Sequence, residues 1–231
     1  MSEITSAEWT AILLSLRVAV IATLVATPFG IALAWLLARY NFWGKSALDA
    51  LVHLPLVLPP VVTGYLLLLA LGRRGLVGAW LADNLGIVFA FRWTGAALAC
   101  GVMSFPLLVR PIRLSIEAID RRLEQAASTL GAAPWKVFAT ITLPLALPGI
   151  LAGMVLGFAK AIGEFGATIT FVSNIPGETQ VISSAIYSLI QTPDGDAAAA
   201  RLVIISVVIA TAALIGSEWF ARRATQRLHG N

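Results

Sequence analysis

Five apolar runs, at 12–37, 50–71, 94–109, 147–172 and 200–220, take up most of this chain and decide what it can fold into. A helix that crosses a bilayer needs ~20 predominantly apolar residues. Lipid offers no hydrogen bonds, so a spanning backbone must satisfy its own N–H and C=O groups as a helix or a closed barrel. Continuous runs of this kind fit helices. The expected fold is therefore all-α: a polytopic membrane protein with five transmembrane helices in a single domain over 1–231. Hydrophobic residues make up 58% of the chain and charged residues 12%, too apolar a balance for an ordinary soluble domain.

The first run is not expected to be a cleaved leader. Glu3 and Glu8 precede it with no lysine or arginine, the reverse of a leader's charge. It ends at Trp35, Arg39 and Tyr40, an aromatic and basic interface anchor. The single Cys100 lies within the third run, which excludes a disulfide framework or a cysteine-rich metal site within one chain. The net charge of +4 is spread around the apolar runs, so the expected contact is lipid headgroups, with no nucleic acid.

Basic residues in short loops mark the cytoplasmic side. Arg222, Arg223 and Arg227 place the C-terminus there, together with the loop of Arg39 and Lys45 and the segment holding Arg110, Arg113, Arg121, Arg122 and Lys136. The opposite side carries Glu3, Glu8, Asp83, Glu178, Asp194 and Asp196 against Arg73, Arg74, Arg92 and Arg201. Five spans then put the N-terminus outside. Arg73-Arg74 on that face reads either as a headgroup anchor or as a positive rim for an anion. The stretch 181–190 is short and holds Ser183, Ser184 and Ser188; an outer-face helix is expected there, not a sixth span.

The segment 111–144 is too polar to span and too long to be a turn. Ile112, Ile116 and Ile119, continued by Leu123, Ala126, Ala127 and Leu130, form a helical stripe. Gly131 permits a sharp break, Pro134 suits the first turn of a second helix, and Pro144 is expected to stop it.

Gln125-Ala126-Ala127, three residues, Gly131, nine residues and Ile141-Thr142-Leu143-Pro144 together resemble the signature loop of ABC-importer permeases, Glu-Ala-Ala, Gly, then Ile-x-Leu-Pro. Gln125 departs from that pattern, with Glu124 one residue earlier. The resemblance implies a cytoplasmic coupling loop at 111–144, built on Glu124, Gln125, Ala126, Ala127, Gly131, Ile141, Leu143 and Pro144, which sits in a cleft of a separate ATP-binding subunit. Small Ala126 and Ala127 suit close helix-in-groove contact. The alternative is an amphipathic hairpin lying on lipid.

Towards the C-terminus, Gly163-Glu164-Phe165-Gly166-Ala167-Thr168 is followed by Ser173-Asn174-Ile175-Pro176-Gly177-Glu178-Thr179. With His53-Leu54-Pro55, Pro59-Pro60 and Gly64-Tyr65, these look like the molybdate and sulfate branch of the same family. That resemblance implies a multi-pass protein of the bacterial inner membrane that translocates molybdate, or alternatively sulfate, thiosulfate or tungstate. It further implies a second copy of the chain, ATP hydrolysis on the partner subunit and a periplasmic molybdate-binding protein for delivery. No cofactor or metal is expected in the chain itself. Gly44-Lys45-Ser46 lacks the earlier glycine and the strand of a phosphate-cradling loop. An ATP-independent transporter or channel is the distant alternative, but five spans do not divide into paired inverted halves.

Within the runs, Pro55, Pro59 and Pro60 each remove a backbone donor, so the freed carbonyls must face protein or water. That places the second run beside a pore. Thr63, Thr168 and Thr170 offer hydroxyls either to a dianion or to their own helix carbonyls. Lys160 and Glu164 lie four apart on one helix face and must pair or meet water, which reads either as a neutralising buried pair or as a pore role for Glu164. Gly149, Gly153 and Gly157 open one face to close helix packing.

Overall fold

Every described residue that is not in a turn or short link lies in a helix, as backbone buried in lipid requires. The computed structural model describes the backbone of residues 4–229 and the side chains of 4–216. Glu3 and the side chains of Arg222, Arg223 and Arg227, on which part of the expected orientation rests, lie outside the described residues.

Helix α1, Ser6–Arg39, begins with a capping box, in which Thr5 Oγ1 accepts from the Glu8 N–H and Glu8 Oε2 accepts from the Thr5 N–H. It continues through Pro28. Next come α2, Lys45–Val57, α3, Pro60–Leu71, and α4, Leu76–Leu85. Helix α5, Trp93–Glu117, is the central element. Its small residues Ala96, Ala99 and Cys100 meet Val18, Ala19 and Ala22 of α1 in one buried cluster, the close approach that small side chains permit inside a membrane. Helix α6, Arg121–Thr129, leads to α7, Pro134–Val137, a π turn at Phe138–Thr142, and α8, Leu143–Leu145. Then come α9, Leu147–Ile162, α10, Gly166–Val172, α11, Ile182–Leu189, and α12, Asp196–His229.

Three helices, α1, α5 and α12, are each long and apolar enough to cross a membrane. Two bent pairs bring the number to five if each pair is one crossing: α2 with α3, bent by 115°, and Pro134–Leu145 with α9, bent by 68°. The second run is interrupted at its prolines, as expected, whereas the interruption of the fourth run was not expected. Pro59 and Pro60 withhold the N–H groups that would continue α2. The fourth run stops at Ile162 and restarts at Gly166. The stripe of Ile112 and Ile116 also differs from expectation, because both are fully buried within α5. The free helix of the 111–144 segment starts only at Arg121, and Pro144 lies inside α8 without ending the helical path. Helix α11 is short, as expected, and α4 was not anticipated.

Arg17 and Arg39 stand twenty-two residues apart on α1, about 33 Å along the axis. The Arg17 guanidinium lies 3.8 Å from the centre of the Trp93 ring at the start of α5. That separation is close to the ~30 Å of a typical hydrocarbon core.

Candidate functional site

The two broken runs touch at their breaks. A Cβ on Gly166, which opens α10, would lie 2.7 Å from Pro60 Cβ, and one on Gly64 of α3 would lie 2.5 Å from the Ala167 carbonyl oxygen. Only glycine fits either place, so α3 and α10 cross at backbone distance. Thr63 is buried beside Gly64, and its hydroxyl has no hydrogen-bond partner among the described residues. Thr168 Oγ1 donates to the Phe165 carbonyl and Thr170 Oγ1 to the Gly166 carbonyl, both at 2.8 Å. Those two hydroxyl protons are held by the backbone next to them. Pro55 lies one turn before the break, in the last turns of α2.

Glu164 occupies the α9–α10 break, and its side chain is 1% exposed. It accepts from Lys160 Nζ at 2.7 Å and from the Ala167 N–H at 3.0 Å, while its own carbonyl accepts from Ser183 Oγ at 2.7 Å. Of the two outcomes expected for Lys160 and Glu164, pairing or meeting water, the structure shows the pair. The carboxylate also caps the first turn of α10, where a negative group is favoured. A buried carboxylate left unpaired would cost several kcal/mol, and the contacts to Lys160 and the Ala167 N–H supply its partners.

A second constellation surrounds α6. Asp120 caps the helix by accepting from the Arg122 N–H at 2.9 Å. At its other end the Ala132 N–H donates to the Ala127 carbonyl and the Gly131 N–H to the Ser128 carbonyl, a Schellman ending that needs the positive φ of Gly131, +85°. None of the α6 residues is buried. Gln125 and Ala126 are exposed and Ala127 is half-buried. Leu130 is 89% exposed and Trp135 73%. Ile141 and Leu143 are half-buried on the returning segment, and Pro144 is exposed. Large apolar side chains held out on a loop mark a contact surface.

Glu124, beside the departure at Gln125, turns inward. Its Oε1 accepts from Arg39 Nη2 at 3.0 Å, Arg39 Nε at 3.2 Å and Thr142 Oγ1 at 2.6 Å. These contacts join segments 85 and 18 residues apart, and no local pattern in the sequence announces them. The sequence did mark Arg39 as the anchor of the first run, and that was the one available sign.

The family model for binding-protein-dependent transport system inner membrane components matches residues 26–226. The molybdenum transport system permease protein ModB of Escherichia coli (strain K12) is 62% identical over 224 residues, 97% of this chain and 98% of that protein. The sulfate transport system permease protein CysT of the same organism is 38% identical over 197 residues, 85% of this chain and 70% of that protein. In fold, the chain is similar to a bacterial ABC transporter involved in the import of the acidic polysaccharide alginate, with a TM-score of 0.76 at 23% identity over 96% of this chain and 81% of that one.

Proposed function

The chain belongs to the family of binding-protein-dependent transport system inner membrane components, and from that premise we propose that it is the permease of an ATP-driven importer of molybdate. The observation that carries the substrate is the identity of 62% with the molybdenum permease over nearly the whole of both chains, against 38% with the sulfate permease. The family is a membrane component without catalytic chemistry, so ATP hydrolysis belongs to a separate subunit. A periplasmic molybdate-binding protein delivers the anion, and a second copy of the chain completes the pore.

In this reading, residues 1–231 form one permease domain with five crossings, each bent pair counting as one. The N-terminus lies outside and the C-terminus in the cytoplasm. The path for the anion passes the joined breaks, where proline-interrupted backbone would be intolerable against lipid and the Thr63 hydroxyl is free to donate to a dianion. Glu164 and Thr168 shape this place by holding α10. The loop 111–144 couples the pore to the ATP-binding subunit through the exposed face of Gln125, Ala126, Leu130 and Trp135.

The test is ATP-dependent molybdate uptake in vesicles holding the full transporter, with sulfate as competitor and Leu130→Asp as the variant. Leu130 is 89% exposed, so the substitution leaves the chain's own packing intact and removes only the partner contact. Loss of uptake with normal membrane abundance, and weak competition by sulfate, are expected. Uptake that survives the variant would overturn the coupling surface, and strong competition would move the substrate to sulfate.

A further inference from the structure

Helix α6 has no buried residue with which to grip the rest of the protein, yet a coupling loop has to pass on its displacement. Its strongest attachments are polar and lead to the end of α1 and to the π turn packed against it. Arg39, the last residue of α1, has a side chain only 8% exposed. It donates twice to Glu124 Oε1 and, through Nη2, to the Ile119 carbonyl at 3.3 Å. Arg121 answers from α6, donating to the Ala38 carbonyl of α1 at 3.3 Å. Thr142, in the π turn, donates to the same Glu124 oxygen, and the Trp35 ring of α1 meets Phe138 of that turn edge-on at 5.3 Å. Charge-assisted bonds in a partly desolvated place are strong and directional.

The far end of α1 is fastened in the same way. Glu8 Oε1 accepts from Arg201 Nη2 of α12 at 2.8 Å, and Ser15 Oγ accepts from the Ile182 N–H, at the start of α11, at 2.7 Å. Both fastenings lie on one unbroken helix of 34 residues, and Glu8 and Arg39 stand about 47 Å apart along it. A cavity of about 490 Å³, bounded by Trp35, Arg39, Glu124 and Phe138, lies behind α6 and leaves it room to shift. The adjoining π turn is the kind of local widening found frequently at functional sites.

We propose that Arg39 and Glu124 are positioning residues that convert displacement of the α6 loop into displacement of α1, and through α1 of the α11 end. The inference rests on the reading that this loop meets the ATP-binding subunit. Glu124 has its Oε1 engaged within the chain, so its part is transmission behind the docking face. Rigid elements joined by bonded networks are the physical basis on which two distant sites share one equilibrium.

The experiment uses the complete transporter in proteoliposomes with molybdate-loaded binding protein. It reads three quantities: copurification of the ATP-binding subunit, ATP hydrolysed, and molybdate taken up per ATP. Glu124→Gln keeps the size and an acceptor oxygen for Thr142 while removing the charge, and Arg39→Gln removes its partner. Each is expected to copurify normally and to lose molybdate per ATP by about tenfold. The double variant Arg39→Gln/Glu124→Gln, which leaves no unpaired buried charge, is expected to be no worse than either single variant. Additive losses, unchanged molybdate per ATP, or loss of the ATP-binding subunit from the complex would each overturn the proposal. Failure of the double variant to accumulate in the membrane would do the same, since the pair would then only hold the fold. Leu130→Asp, measured alongside, separates the two ideas: if it leaves copurification and uptake intact, the docking reading fails whatever Arg39 and Glu124 do.

Discussion

Alanine placed in turn at the three glycines of α9 should have sharply different effects, and the differences follow from what each new Cβ meets. At Gly153 it would lie 2.5 Å from the Leu108 carbonyl oxygen of α5, and at Gly149 2.3 Å from Ser115 Cβ and 2.7 Å from the Pro111 carbonyl oxygen. At Gly157 the nearest atoms are Leu108 Cβ and Cδ1, both at 3.7 Å, an ordinary contact. Backbone oxygens cannot swing aside, so α9 and α5 must separate at the first two sites, at the ~1–3 kcal/mol typical of overpacking. The gain from replacing a helical glycine, ~0.5–1 kcal/mol, is common to all three. It cancels when the variants are compared with one another, so the difference isolates the clash. For a chain of this size a 2 kcal/mol gap is roughly 4–8 °C in melting temperature. The assay is thermal unfolding of the purified protein in one detergent, with Gly157→Ala expected at or above the parent and the other two below it. Equal losses at all three positions, or the largest loss at Gly157, would refute the packing argument.

Glu164→Ala removes both the partner of Lys160 and the cap of α10, and loss of one member of a buried pair costs about 3–5 kcal/mol. Membrane abundance should fall steeply, and Lys160→Met combined with Glu164→Gln should recover much of it by leaving an acceptor for Ala167 and no charge; an undiminished Glu164→Ala protein would contradict the assignment. Orientation is tested by a membrane-impermeant thiol reagent on intact cells, since the native Cys100 is fully buried. Glu178→Cys should label at once and Ala126→Cys only after permeabilisation, and the opposite pattern would invert the proposed topology.

Features fixed by local chemistry were legible in the sequence. Gly131 and Pro134 marked a helix end and a helix start because one supplies positive φ and the other a preset φ without a needed donor. Pro59-Pro60 marked a break for the same reason. The break at 163–165 was hidden, because its neighbours are apolar and its closure depends on a side chain, Glu164, reaching forward to the Ala167 N–H. Ile112 and Ile116 show the helical period equally well on a free helix and on the end of α5, so periodicity alone could not tell which partner buries them. The contact of Gly166 with Pro60 joins segments about a hundred residues apart. So does the union of Arg39 with Glu124.

The distance from Arg17 to Arg39 also has a consequence for the lipid around the protein. With charged side chains at both ends of this stretch and α1 fastened at Glu8 and at Arg39, the helix cannot shorten to follow a thinner bilayer. The ~33 Å between the two arginines slightly exceeds a hydrocarbon core of ~30 Å, a mismatch that helix and bilayer settle between them by tilt or local thickening.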